Sequence, residues 1–550
     1  MNHLSGMDAS FLHLESSEMP MHVASLEIFE LPEGYEGDFF AAAKDYTGSR
    51  LHLAEVFQRK LALMPFELAN PVWIEDFDVD LDHHIRNVVL PRPGTWQQLE
   101  RLVGRLHSTL LDRSRPLWEM TIIEGLQDGR IGVYTKVHHA AVDGQGGVAV
   151  TKALLSDTPN PGPVKPPRGR RQHDPAQLGM AELASAAIGN AFQQYVKLVK
   201  AVPTGAKALA NVLLPVSEAD GKRRLTSGKI QRAPRTPLNV ALTNQRAYAA
   251  RSLPLAEIKA MAKTSGASLN DIVLAICAGS LKKYLAEYDC KPVEPLLAAV
   301  PVSLREAGNT DPNNQVSVMM VSLATDIEDP LERLKAINES SVAAKKLTGT
   351  FKEALGLDFP SLGVPWVMSG LASMYGRSKL ADRLPPAANV AISNVPGPQM
   401  PLYFAGALLT GFYPVSIPGH GMALNMTVQS YNGSLDIGLT ACRRAMPDVG
   451  DLADYLVAEH RMLFELIMGK PAAEALVAGP AVRQAERQGV RQEVHAEAVL
   501  AAPKAAAAVK GIKGIKAVPK AAGKAASASN GAARKRTRKA AAPASVSRAA

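Results

Sequence analysis

Residues 384–435 contain no Asp, Glu, Lys or Arg. A run that long without charge has to be withdrawn from water, and few structures achieve this. A membrane-spanning helix needs about 20 predominantly apolar residues in sequence, whereas proline or glycine interrupts this run every few residues. The spacing fits short buried strands joined by tight turns, such as "NVAISNVPG", "ALLTGFYPVSI" and "ALNMTVQSYNG". A second reading has part of the run lining an apolar channel or touching lipid.

The rest of the chain supplies the covering layers. "HVASLEIFEL" (22–31) reads as a strand, while residues 39–64 and 95–112 carry apolar residues at helical spacing. "LWEMTIIEGLQDGRIGVYTKVHHAAVDG" holds two β-rich runs around Asp128-Gly129, a hairpin signal, before helical spacing resumes. Residues 156–177, rich in Pro and Arg, break the alternation, and an amphipathic helix is expected over 180–214. The pattern restarts with a strand and two helices over 246–285, then two strands and a helix opened by Asp329-Pro330. The charge-free strands follow, with a hairpin at Asn432-Gly433, and a last helix over 449–468. An α/β (α+β) architecture of two halves is expected: an N-terminal domain over 1–155, a linker or crossover over 156–240 and a C-terminal domain over 241–470.

Charge separates off a fourth segment. Of the 61 Lys and Arg, twelve lie in residues 501–550, where there is no Asp or Glu. Setting them aside leaves 49 basic against 52 acidic side chains, so the net charge of +9 belongs to a tail and not to a basic folded surface. No Phe, Trp or Tyr follows Phe464. Residues 471–550, rich in Ala and Lys, have too little apolar surface to offset their ordering entropy and are expected to be disordered. Cys277, Cys290 and Cys442 are too few and too scattered for a disulfide framework or a zinc site, which suits a reduced cytoplasmic setting. The start, "MNHLSGMDASFLHLE", lacks the pattern of a secretory signal. The expectation is a cytoplasmic protein without a transmembrane helix.

"VHHAAVDGQGG" (137–147) carries the chemistry. Adjacent histidines point to opposite faces of a strand and diverge by about 100° on a helix, so they make a poor metal site by themselves. No "HExxH" or Cys cluster supplies further ligands. If His139 closes a strand and a helix starts near Asp143, the turn lets the imidazole face a cleft, with Asp143 and Gly144 bracing the bend. A histidine near its usual pKa of about 6.5 is suited to take a proton from a hydroxyl or thiol. With no G-x-S-x-G elbow and no evident nucleophilic cysteine, it would act on the substrate directly. A second pair, His83-His84, lacks the following Asp-Gly and reads as structural.

"HHAAVDG" (138–144) resembles the HHxxxDG signature of the CoA-dependent acyltransferase superfamily, which peptide-synthetase condensation domains share. The companions "LSGMDASFLHLESSEMPMHVASLEIF", "SRPLWEMTIIEGL", "SLNDIVLAICAGSL", "AISNVPGP" and "YPVSIPGHGMALNMTVQSYNGSLDIGLTACR" together resemble the bacterial wax ester synthase/diacylglycerol acyltransferase family, over residues 1 to about 470. The resemblance implies two chloramphenicol-acetyltransferase-like domains with a substrate tunnel at their interface. It implies that acyl-CoA and a long-chain alcohol or diacylglycerol meet there, yielding wax esters or triacylglycerol without a cofactor. By the same resemblance His139 is the general base, His138 its supporting neighbour, and Asp143 a structural residue for which Arg305 is a candidate ion-pair partner. Asn270 and Asp271 match an "ND" pair: Asn270 for the oxyanion, or merely a helix cap, and Asp271 for substrate binding. Pro116, Leu117 and Trp118 match a channel-wall or packing motif.

The alternatives are a condensation-type enzyme working on carrier-bound thioesters, although this chain has no carrier or adenylation module, and a non-catalytic lipid-inclusion or nucleic-acid-binding protein. Lipid substrates suggest peripheral contact with the inner membrane face or lipid inclusions. The tail's positive charges suit an anionic membrane, with nucleic acid as the lesser partner. The uncharged "FPSLGVPWVMSGLASMYG" (359–376) reads as core or as an interfacial membrane contact.

Overall fold

The structure, a computed structural model, describes residues 2–62, 70–142, 144–165, 233–303, 316–355, 382, 385–469 and 471. The expected helix over 180–214, the segment 359–376 and the tail lie outside the described residues, as do Asp143 and Arg305.

The N-terminal half runs β1 (Asn2–His3), α1 (Gly6–Leu14), β2 (His22–Glu30), α2 (Phe39–Gly48), β3 (Arg59–Ala62), β4 (Val72–Glu75), α3 (Leu81–His84), β5 (Ile85–Val89), α4 (Trp96–His107), β6 (Trp118–Glu124), β7 (Ile131–His138) and α5 (Gly144–Leu154). The C-terminal half runs β8 (Arg246–Pro254), α6 (Leu255–Ser265), α7 (Leu269–Glu287), β9 (Leu297–Ser303), β10 (Val316–Ser322), α8 (Pro330–Leu355), β11 (Val390–Val395), β12 (Tyr403–Phe404), β13 (Ala407–Val415), β14 (Leu424–Tyr431), β15 (Ser434–Cys442) and α9 (Val449–Met468).

Two six-stranded sheets carry the molecule, ordered β12-β13-β2-β7-β6-β5 and β10-β9-β11-β14-β15-β8, beside a small β1-β4-β3 sheet. In the first, β7 lies between β2 and β6, and all eight of its residues are buried. That accounts for a strand without simple alternation, in which even Thr135, Lys136 and His138 are buried. Its antiparallel pairing with β6 follows the hairpin read at Asp128-Gly129, where Gly129 has φ +76°. In the second sheet β14 and β15 pair through Asn432 and Gly433, both at positive φ, as the two-residue turn requires. The charge-free run thus resolves into strands β11 to β14, most of whose residues are buried.

Two features tie the halves together. Strands β12 and β13 leave the C-terminal half and complete the N-terminal sheet, β13 pairing antiparallel with β2. The expected C-terminal domain over 241–470 did not include this exchange. Hydropathy shows that a strand is buried but not which sheet buries it. The second tie is α4, opened by a Thr95–Gln98 capping box. Its Trp96 indole donates to the Ala250 carbonyl, its Glu100 accepts from the Ala250 amide and pairs with Arg251, and Ser108 accepts from the Arg246 amide. These groups occupy the otherwise open edge of β8, which protects it from pairing with another chain. Gly104 permits the close approach, since a Cβ there would stand 2.8 Å from the Arg246 carbonyl oxygen.

One expected element differs. The helix read over 39–64 ends at Gly48, and two 3-10 turns lead into β3, which pairs with β4. The helical spacing there is real, but cross-strand pairing with a segment further along the chain overrides it.

Candidate active site

The histidine pair sits where β7 stops. The His138 amide bonds the Leu117 carbonyl at 3.0 Å, and the His139 amide bonds the Met21 carbonyl at 2.8 Å, so the pair is held between β6 and the entry to β2. A turn follows, with the Ala141 amide on the His138 carbonyl, and α5 opens at Gly144. Strand, turn and helix therefore follow one another as the spacing predicts, with the strand ending one residue earlier, at His138.

The two rings have different surroundings. His138 is fully buried. Its Nδ1 accepts from the Ala140 amide at 3.0 Å, which places the ring proton on Nε2, and Nε2 lies 3.4 Å from Glu15 Oε1 without hydrogen-bond alignment. Burial would raise the Glu15 carboxyl, but the His138 ring, the Met21 amide and Arg113 outweigh it and hold the group down to about 2. His139 is half-buried, with Phe11 stacked on one face at a centroid distance of 4.0 Å and an interplanar angle of 13°. Its Nδ1 is buried without a partner among the described residues. Burial lowers the His139 pKa to about 4; its own main-chain carbonyl opposes the shift and His138 adds to it. The ring is therefore neutral at pH 7, further from titration than the usual value of about 6.5 suggests.

Asn270 and Asp271 lie in the first turn of α7, whose N-cap is Ser268. The capping role weighed for Asn270 thus belongs to Ser268, which accepts from the Asp271 amide while the Asp271 carboxylate reaches back to the Ser268 amide and hydroxyl. Asp271 also accepts from Asn338 on α8 at 2.8 Å, so Oδ2 is held by structural bonds, while Oδ1 is buried without a hydrogen-bond partner among the described residues. Asn270 is half-buried beside the main-chain N–H groups of the helix start, which carry a partial positive charge.

Pro116, Leu117 and Trp118 are all buried. Leu117 packs with Leu4, Ala9, Leu12 and Ala140, and its carbonyl holds His138. Trp118 stacks on His84 at 4.4 Å and 15°, meets Phe57 edge-on, and donates from Nε1 to the Phe57 carbonyl. His84 bonds the Trp118 carbonyl through Nδ1 at 2.7 Å. His84 therefore serves packing beneath this motif, with His83 edge-on to its ring. Among the described residues, no group of three His, Cys, Asp or Glu stands close enough to hold a metal ion.

Phe11, Glu15 and Arg113 were not singled out from the sequence. The available signal was Phe11 and Glu15 at i and i+4 on one helical turn, the latter an acid between the apolar stretches "FLHL" and "MPMHV".

Comparison with known proteins decides what this arrangement belongs to. Residues 4–273 match the wax ester synthase/diacylglycerol acyltransferase catalytic domain, and residues 313–463 match the C-terminal domain of the same family. A Mycobacterium tuberculosis protein named as a diacylglycerol O-acyltransferase is 37% identical over 467 residues, 82% of this chain and 97% of that one. The chain belongs to the wax ester synthase/diacylglycerol acyltransferase family. The O-acyltransferase WSD of Acinetobacter baylyi is 34% identical over 482 residues, covering 86% of this chain and 98% of that protein. The wax ester synthase/diacylglycerol acyltransferase of Marinobacter aquaeolei VT8 superposes with a TM-score of 0.60 at 33% identity, over 85% of this chain and all of that one. The span matched to the family's catalytic domain includes both the histidine pair and the Asn270–Asp271 turn. The protein is an acyltransferase.

Proposed function

We propose that the enzyme moves a fatty acyl group from acyl-CoA to the hydroxyl of diacylglycerol or of a long-chain alcohol, with His139 as general base and no covalent intermediate. The observation that carries this reading is a half-buried imidazole at the end of a central strand, neutral at pH 7, with Nδ1 sealed and one face covered by Phe11. Nε2 is the nitrogen left for substrate. The acceptor hydroxyl gives its proton to Nε2 as its oxygen bonds the thioester carbon. The oxyanion forms near the start of α7, where Asn270 and the helix amides donate to it. The carbon–sulfur bond then breaks, and the CoA thiolate takes the proton from the imidazolium. Protons balance without a cofactor.

In this reading Asp143 and Gly144 shape the turn and Arg305 pairs with Asp143, while Asp271 supports substrate binding indirectly by fixing the turn that holds Asn270. The enzyme works peripherally, at the inner membrane face or a lipid inclusion. No single helix among the described residues is long and apolar enough to cross a membrane. The twelve positive charges of residues 501–550 provide the tether, each worth about 1 kcal/mol near anionic lipid. Deleting them and fractionating cells separates this from nucleic-acid binding, in which the membrane and inclusion fraction would not change.

The central test uses purified protein with palmitoyl-CoA and either hexadecanol or dioleoylglycerol, following free CoA. Release depends on the acceptor and falls by roughly 10²–10⁴ in His139→Ala. Activity that survives this substitution removes the base assignment.

A further inference from the structure

We propose that Glu15, at the end of α1, is a positioning residue for the acyl transfer, holding both histidines at once and acting on His139 through Met21 and His138. The proposal rests on the reading of His139 as the base.

The two Glu15 oxygens divide the work. Oε1 accepts from the Met21 amide at 3.0 Å and faces His138 Nε2 at 3.4 Å. Oε2 takes the Arg113 guanidinium, through Nη2 at 2.7 Å and Nε at 3.0 Å. The peptide that gives its N–H to Glu15 is preceded in the chain by α1 and followed by β2, and the Met21 carbonyl in turn accepts the His139 amide at 2.8 Å. One carboxylate thus holds His139 through its main chain and stands 3.4 Å from the His138 ring. A turn earlier on the same helix, Phe11 lies flat on the His139 ring, so α1 contacts the base from a second direction.

An ionised carboxylate only 3% exposed is costly to bury alone. Arg113 offsets that cost and is itself anchored to the Leu12 carbonyl at 2.8 Å. The arrangement is more than helix packing requires, because an apolar side chain at position 15 would fill the same space without placing either imidazole. Its effect is geometric: an error of about 1 Å in a reacting group costs on the order of 10²-fold in rate.

The experiment compares Glu15→Gln and Glu15→Ala with the parent, using palmitoyl-CoA and dioleoylglycerol. The expected result is a kcat lower by roughly 10²-fold in Glu15→Ala with KM for acyl-CoA within about twofold. Glu15→Gln, which keeps an acceptor for the Met21 amide, recovers part of the loss. Selective ¹⁵N-histidine spectra, with the His139 signals assigned from His139→Ala, shift or broaden at both rings in Glu15→Ala. A folded Glu15→Ala protein with kcat within twofold of the parent overturns the proposal, as do unchanged imidazole signals in either variant. Should Glu15→Ala not fold, the kcat and spectra of Glu15→Gln decide: parent-like values overturn it. Failure of the base assignment is read separately, from activity surviving in His139→Ala.

Discussion

The acid limb of the pH–rate profile should be set by the cover on His139. Burial holds this imidazole at about 4, and Phe11 is the ring lying against it. With a group at that value, about 97% of the enzyme has the free base at pH 5.5; at the ordinary value of about 6.5 the fraction is about 9%. The profile of kcat/KM for the parent is therefore expected to stay level from pH 8 to about 5.5 and fall by half near 4. Phe11→Ala removes the aromatic face and admits water to the ring. A rise of one to two units, or about 1.4–2.7 kcal/mol less discrimination against the charged form, moves the limb to about 5–6. The assay is initial-rate CoA release between pH 3.5 and 8, each sample returned to pH 7.5 to confirm that activity recovers. Phe11→Leu, apolar but not aromatic, should fall between the two and guards against loss of folding. A parent limb near 6.5, or a Phe11→Ala limb where the parent's lies, refutes the reasoning.

Two further outcomes follow from buried groups away from the base. Trp118→Ala should lower stability by about 3–5 kcal/mol, through the lost stacking on His84 and Phe57 and the orphaned Phe57 carbonyl. The KM for either acceptor should change less than threefold if the residue packs the core, and a large rise in KM at unchanged Tm would place it in a channel wall instead. Glu27, buried in β2 and bonded by the Ser25 hydroxyl at 2.8 Å, is pushed up to about 7, chiefly by burial. Its folded-state pKa exceeds the unfolded one, so its contribution is complete below about 4.5 and lost as pH rises through 7. Glu27→Gln should remove up to about 3 kcal/mol of that pH-dependent loss, seen as a Tm that falls less between pH 4.5 and 8 than the parent's.

How much of this was legible in the sequence follows from the range of each interaction. The Asp128-Gly129 and Asn432-Gly433 turns and the order from β7 to α5 are local, and each was visible in a few neighbouring residues. The switch of β13 into the N-terminal sheet was not, because its side chains would be equally buried in either sheet; only pairing with β2 settles it. The same division runs through the site. His139 is marked by its own motif. Phe11, Glu15 and Arg113 reach it from α1 and from the loop between α4 and β6, and a polar residue among apolar neighbours does not say which distant group it serves. The "ND" pair shows the limit most sharply. In the sequence Asn270 and Asp271 look like one unit, yet successive positions on a helix point about 100° apart. Asp271 turns back to Ser268 and across to Asn338 through one oxygen, Oδ2, which holds the turn. In the proposed reading the oxyanion contact falls to Asn270, Asp271 Oδ2 keeps the turn in place, and Asp271 Oδ1 stays buried without a hydrogen-bond partner among the described residues.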